Sequence, residues 1–343
     1  MNADPFRAAR WLAPLIGIAA IAVATPAGAE SRLWLASLNY ESTQLVVPVI
    51  ALHSSDDRGV EWNMWVTGWT LGADRSVART AHSRWRVLAR VTPVNAHASN
   101  YVYVDGRRSP AASYSAASID LGGGLEVAHT QRWTGIYRGI ALYERVGRSQ
   151  SADIRHFWDR PFVGAETSQS YARIRSETLF GMRWDGLKAD VSAQIYTGTR
   201  TWSRVRAAAG AGRRAGPLFV SGRTAVFTGQ SLNTVNAFLT GGSWDLATPD
   251  LLAGYRYAEF RVSRAATIGA GLDLRIHGAW EVGVRSAYLR SPRLDRRGTA
   301  VQVMTVWRGA VVNAGVAMPQ VAAARARGHA VLFATITAAV IKR

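Results

Sequence analysis

Leu272-Asp273-Leu274-Arg275-Ile276-His277-Gly278-Ala279-Trp280-Glu281-Val282-Gly283-Val284-Arg285 reads as two strands around a two-residue turn. Leu272, Leu274 and Ile276 oppose Asp273, Arg275 and His277. Beyond Gly278-Ala279, Trp280, Val282 and Val284 oppose Glu281 and Arg285. Successive strand side chains point to opposite faces, so both apolar sets fall on one side of the hairpin and both charged sets on the other.

The same alternation recurs along the chain. In residues 84–91, Trp85, Val87, Ala89 and Val91 share one face, and Arg84, Arg86, Leu88 and Arg90 the other. In residues 171–184, Ala172, Ile174, Phe180, Met182 and Trp184 oppose Arg173, Arg175, Glu177 and Arg183. In residues 187–196, Leu187, Ala189, Val191, Ala193 and Ile195 oppose Lys188, Asp190, Ser192 and Gln194. Between the last two, Asp185-Gly186 suits a hairpin turn with positive φ.

A soluble sandwich alternates too, but three features favour a membrane barrel. The strands run to about ten residues or more, as a tilted span requires. Charged residues occupy strand centres on the polar face, where a wet lumen accepts them. Trp62, Trp65, Trp133, Trp184, Trp202 and Trp280 fall near strand ends, the place of an interfacial girdle. The expected fold is therefore all-β, a transmembrane antiparallel β-barrel of about 14–16 strands. Residues 30–343 show no linker and no shift of composition, so they read as a single domain. Longer loops are expected at residues 104–113 and 147–168. The second carries His156-Phe157-Trp158-Asp159-Arg160, a mixed aromatic and charged tip suited to self-packing over a pore or to stacking on a sugar.

The N-terminus reads as a targeting segment. Arg7 and Arg10 precede an apolar run from Trp11 to Val23, and Ala27-Gly28-Ala29 is a small-x-small cleavage site. Residues 1–29 are thus expected to be a cleaved signal peptide. Export and alternation together point to the cell outer membrane of a Gram-negative bacterium. The expected partners are outer-membrane lipid, lipopolysaccharide and the barrel-assembly machinery. Residues 330–341 are too short for a transmembrane helix and read as a strand. The chain ends Ile341-Lys342-Arg343 rather than on an aromatic, so the last strand either stops near Phe333 or carries a variant assembly signal.

Composition narrows the chemistry. A mean hydropathy of -0.02 is too low for a polytopic helical membrane protein. The absence of cysteine removes disulfides, a thiolate metal site, a catalytic thiol and a lipoprotein anchor. The formal charge of +18 is carried almost wholly by arginine, the lysines being Lys188 and Lys342. Such a surplus attracts anions. The basic residues are scattered through strands, which argues against nucleic acid. No histidine cluster has metal-ligand spacing, and Gly122-Gly123-Gly124 lacks the residues of a phosphate loop, so no metal and no cofactor are expected. That glycine run instead permits close packing or curvature.

The candidate pore-lining residues are Arg84, Arg86, Arg90, Arg173, Arg175, Glu177, Arg183, Asp273, Arg275, Glu281 and Arg285. Guanidinium rows inside a barrel can form a ladder for carboxylates, phosphates or sugar hydroxyls. They can equally brace the lumen by pairing with Glu177, Asp190, Asp273 and Glu281. A separate candidate is His97-Ala98-Ser99-Asn100, where His97 and Ser99 share a face and an imidazole could activate the hydroxyl. This element resembles the His-x-Ser-Asn of outer-membrane lipid A deacylases, which would imply a lipid-modifying hydrolase.

A second resemblance spans more of the chain. Trp202-Ser203-Arg204-Val205-Arg206, Gly216-Pro217 and Asn236-Ala237-Phe238-Leu239-Thr240-Gly241 resemble a strand series in the cellulose-biosynthesis BcsS family of outer-membrane proteins. Val49-Ile50-Ala51-Leu52 and Gly59-Val60-Glu61-Trp62 resemble that family's first hairpin. The resemblance implies a non-enzymatic barrel serving exopolysaccharide or cellulose biosynthesis or export. Three functions therefore stand as expectations: a channel or accessory conduit for polysaccharide or anionic solutes, a hydrolase using His97 and Ser99, and a structural barrel with a plugged lumen.

Overall fold

The structure is a computed structural model. It describes residues 31–342 except 42–44, 56–60, 68–69, 96–101, 105–106, 110–113, 149–155, 179–182, 234, 243–251, 256–258, 308–309 and 321–329. The expected signal peptide, residues 1–29, lies outside the described residues, as do His97 and Ser99.

The strands are, in order, β1 (Ser31–Glu41), β2 (Leu45–Ser55), β3 (Glu61–Thr67), β4 (Thr70–Arg79) and β5 (Ser83–Asn95). A short pair follows, β6 (Val102–Val104) and β7 (Arg107–Ser109). Then come β8 (Tyr114–Thr130), β9 (Trp133–Arg148), β10 (His156–Thr178), β11 (Arg183–Thr197), β12 (Trp202–Ala215) and β13 (Leu218–Gln230). A second short pair is β14 (Phe238–Thr240) and β15 (Phe260–Val262). The chain closes with β16 (Arg264–His277), β17 (Trp280–Arg290), β18 (Asp295–Trp307), β19 (Ala310–Gln320) and β20 (Val331–Lys342).

All but the two short pairs form one closed barrel, sixteen strands in chain order. Every neighbour is antiparallel, and β1 seals the barrel against β20 from Arg32↔Lys342 to Glu41↔Phe333. The last strand therefore runs well past Phe333. Closure leaves no unpaired edge, which is what a sheet must achieve where no water can satisfy its backbone.

The alternation has one physical cause, seen most simply in β13. Phe219, Ser221, Arg223, Ala225 and Phe227 are buried, while the residues between them are exposed. The outward set across the barrel is apolar: Val87, Leu121, Val163, Val191, Val220, Ile268, Leu272, Val301 and Ile336 all stand exposed. Full burial of such a side chain is worth about 1.5–3 kcal/mol, so an outer face of this kind fits hydrocarbon and not water. Trp85, Trp133, Trp280 and Trp307 are exposed on this face. All four stand near the end of the barrel that carries both termini. Three of the expected girdle residues turn inward instead: Trp65 packs over Gly72, Trp184 is buried against Arg223 and Lys188, and Trp202 stacks on Tyr196.

The two ends differ. At the end with the termini the connections are short: 56–60, 80–82, 131–132, 179–182, 216–217, 278–279 and 308–309. At the opposite end lie the long ones, 96–113, 231–263 and 321–330. Short turns at one rim and long loops at the other is the asymmetry of outer-membrane barrels.

Three local expectations are corrected. Residues 147–168 are mostly strand: β9 runs to Arg148 and β10 begins at His156, leaving 149–155 as the connection. Residues 171–184 are not one strand but the end of β10 and the start of β11. Asp185-Gly186 is not a hairpin turn. It lies inside β11, where Gly186 (φ 144°) faces a register shift between Ile174 and Ser176. A glycine with positive φ serves a bulge as well as it serves a tight turn, so the dipeptide alone does not distinguish them.

Candidate functional site: a charged lumen with an inward segment

The inner face carries ion pairs between neighbouring strands. Arg84 Nη1 donates to Glu61 at 2.6 Å, and Arg86 pairs with Asp74, Glu61 and Glu126. Asn63 adds a hydrogen bond to Asp74 at 2.9 Å. Further along, Arg90 Nε lies 2.8 Å from Asp120, and its Nη2 lies 3.6 Å from Glu166. Glu166 also accepts from Tyr196 Oη at 2.6 Å and from Gln194 at 2.8 Å. Arg206 pairs with Asp190.

A second network lies on β12, β16 and β17. Arg214 reaches Glu281 at 2.8 Å, with Arg275 at 3.7 Å on the same oxygen. Arg285 pairs with Asp273 at 2.8 Å, and both are nearly fully buried. Gln302 and Asn313 continue the chain of polar contacts from Asp273. Glycines make this pair sterically possible. A Cβ at Gly271 would lie 2.8 Å from Arg285 Nη1 and from Ser221 Oγ, and one at Gly283 would collide with Asp273.

The structure thus brings Arg84, Arg86, Arg90, Asp273, Arg275, Glu281 and Arg285 to the inner face, each in an ion pair. It treats the expected β10 residues differently. Arg173 pairs in the ladder with the outward Leu187, two residues beyond the outward Tyr171↔Trp133 pair, and is exposed on the outer face. Arg175 sits exposed in the bulge. Arg173 does not line the lumen as expected, because at this end of the strand the apolar set takes the inner face: Ala172 pairs with the inward Lys188, and Trp184 packs inward beside it. The side chains of Glu177 and Arg183 lie outside the described part of the structure. Sequence reasoning missed Glu61, Asp74, Asp120, Glu126 and Glu166, the carboxylates that hold the β5 arginines. Each alternates correctly in its own strand, but only the register between strands shows the partner.

It also missed an inward segment. Between β13 and β16, the described parts of residues 231–263 pack on the inner wall. Phe238, Leu252, Tyr255 and Val262 are buried against Ala208, Ala225, Phe227, Ala265 and Leu289. Ala253 joins Ala300, Ala317, Val331 and Phe333, and a side chain on Gly298 would collide with its carbonyl. Two arginines latch the segment. Arg204 of the wall donates to the Asn236 carbonyl at 3.3 Å and lies over the Phe238 ring. Arg261 of the segment donates to Tyr114 Oη at 3.3 Å. Tyr114 belongs to β8 and Gly298 to β18, eight strands apart around a ring of sixteen, so the segment spans the lumen. Burial pushes the Tyr255 hydroxyl above its ordinary range, which keeps it protonated and neutral in this packing. The signal was a lapse of alternation, with Gly241-Gly242 and Pro249 breaking the pattern. Asn236–Gly241, which resembled a barrel strand, instead forms β14 and pairs with β15 off the barrel.

A closed sixteen-strand barrel with an apolar belt and a charged interior defines an outer-membrane-type β-barrel. No family model and no curated protein matches the chain. Among solved structures it is similar to BamA from Haemophilus ducreyi lacking POTRA domains 1–3, at 9% identity and a TM-score of 0.65, covering 91% of this chain and 70% of that one. It is similar to CdiB from Escherichia coli at 9% identity and a TM-score of 0.59, covering 92% and 64%. CdiB from Acinetobacter baumannii gives 9% and 0.58, covering 90% and 60%. The chain spans less than two thirds of either CdiB chain. At such identity these likenesses establish the fold alone.

Proposed function

We propose that the chain is a non-enzymatic channel of the outer membrane, carrying polar and anionic solutes through a lumen narrowed by the described parts of residues 231–263. The observation that carries this reading is the pairing of sixteen strands into a ring whose inner face is charged. Barrels of that strand number enclose an aqueous passage, whereas eight strands leave room only for side chains. The signal peptide read in residues 1–29 supports export to that membrane, and short turns at the rim with the termini support a periplasmic orientation for that rim.

Within this reading the cargo is an exopolysaccharide such as cellulose or an acidic polymer, as the BcsS-like segments imply. That resemblance stands on those segments alone. A plugged structural barrel is the second reading, favoured by the inward segment that crosses the lumen. The hydrolase reading rests on His97 and Ser99, and nothing in the described structure supports it.

Single-channel conductance of the refolded protein in a planar bilayer tests the proposal. Steady conductance, with anions preferred under a salt gradient, is the expected outcome. Silence from heat-modifiable, folded protein would end the channel reading in favour of the plug. A lipid mass spectrum changed by wild type and restored by His97→Ala would instead establish the hydrolase.

A further inference from the structure

We infer that Arg138 is an oxyanion-binding, charge-selecting residue of the lumen, an inference that rests on the channel reading above. Arg138 lies on β9, between inward-facing Ile136 and Ile140 and well inside the strand. In the ladder it stands between Gly124 of β8 and Glu166 of β10. Its side chain is half-buried. Among the described residues it makes no ion pair and no hydrogen bond.

The lack of a partner follows from how its neighbours are committed. Glu166, directly opposite, already takes Tyr196 and Gln194 on one oxygen and lies near Arg90. Glu126, on the diagonal, faces Arg86. Arg86 itself stands across Gly124 and is matched by three carboxylates. Gly124 completes the arrangement. A Cβ there would lie 2.8 Å from Arg138 Cγ and 2.9 Å from its Cα, so glycine lets the arginine stem lie against the wall.

A guanidinium offers five N–H donors and cannot shed its charge. Half-buried and without an anion, it pays a desolvation cost that a passing oxyanion relieves. Planar bidentate geometry selects carboxylate and phosphate groups over halide. The paired arginines cannot do this, because their donors and charge are already matched. Selectivity is thereby concentrated at Arg138 and not spread over the rows Arg84, Arg86 and Arg90.

The test compares wild type with Arg138→Gln and Arg138→Lys in planar bilayers under a potassium chloride gradient, with inorganic phosphate then added at constant ionic strength. The expected result is a severalfold fall in chloride-over-potassium preference for Arg138→Gln and retention for Arg138→Lys. Phosphate should reduce the wild-type current and leave Arg138→Gln nearly unaffected. Equal selectivity and equal phosphate sensitivity in wild type and Arg138→Gln would overturn the inference while leaving the channel intact. Thermal unfolding in phosphate provides a readout that does not need conduction. A phosphate-dependent rise in Tm for wild type that Arg138→Gln loses supports the site even in a silent barrel, and identical shifts refute it.

Discussion

The two sides of the lumen are built from the same residue types and differ in how much of the wall is covered. On β3 to β11 part of the charge faces the passage: Arg84 and Arg90 keep about 30% of their side-chain surface and Asp190 keeps 43%, while Arg86 and Asp74 beside them are sealed. On β12 to β20 more of the wall is covered, though Arg275, beside the β16–β17 turn, keeps 48% of its side-chain surface. Asp273 and Arg285 are almost sealed, and Ala300, Ala317, Met304 and Val311 on the inner face are nearly inaccessible. Part of the covering is Phe238, Leu252, Ala253, Tyr255 and Val262 of the inward segment, which pack on that side. Charge exposed to a wet passage is solvated and acts at a distance. Charge sealed beneath a packed segment is desolvated and acts through its partner alone. Under the channel reading the first side would meet solutes, and the second fixes the barrel and its inward segment.

Excising residues 236–260 and bridging the gap with a Gly-Ser linker should have the largest effect. Conductance is expected to rise severalfold with the barrel still heat-modifiable, since the segment's described contacts are with the inner wall and not within the strand ladder. Unchanged conductance would mean that the segment does not narrow the passage, and the contrast between the two sides would lose its functional meaning.

Next in size is Asp273→Ala. It leaves Arg285 buried without its carboxylate, and breaking one partner of a buried pair costs about 3–5 kcal/mol. Urea unfolding in lipid vesicles measures it. A loss below about 1 kcal/mol would place this pair with surface ion pairs and break the distinction drawn between the walls. Gly283→Ala should act in the same direction, because its methyl group would occupy the space of Asp273. Tyr114→Phe removes the hydroxyl that receives Arg261, a hydrogen bond to a charged group worth about 1.5–3 kcal/mol. Its readout is the flicker of single channels, expected to increase as the segment loosens. A quiet trace identical to wild type would shift the latch to Arg204 and the Asn236 carbonyl.

How much of this was legible beforehand depends on what each feature needs. Alternation is a property of one strand, so the hairpin of β16 and β17 could be read directly: Leu272, Leu274, Trp280 and Val284 face out, and Asp273, Glu281 and Arg285 face in. The strand number, at the upper end of the expected range, followed from length and spacing. Features that depend on two strands were not legible. Arg86 does not announce Asp74, because that contact is fixed by the register of β4 on β5 and by a bulge between Ser76 and Ala78. Arg173 was misplaced because only the pairing of β10 with β11 shows that Ala172, and not Arg173, takes the inner face there. The inward segment was invisible because its apolar residues pack on a wall assembled from seven strands, and no local period records that.

The smallest expected effect is also the most discriminating. Arg84→Ala removes an ion pair to Glu61 whose arginine keeps 31% of its side-chain surface. Water screens such a pair, so the stability loss should be about 1 kcal/mol or less. Glu61 is not stranded by the change, because Arg86 Nη1 stays 3.4 Å from the same oxygen. The field in the passage does change, since one positive charge facing water has gone and salt screens it over about 8–10 Å. Arg84→Ala should therefore leave the unfolding midpoint nearly in place and lower anion preference slightly, less than Arg138→Gln does, with the difference shrinking at high salt. A stability loss as large as that of Asp273→Ala would show that the exposed wall is braced as tightly as the sealed one, and the division of labour between the two sides would have to be abandoned.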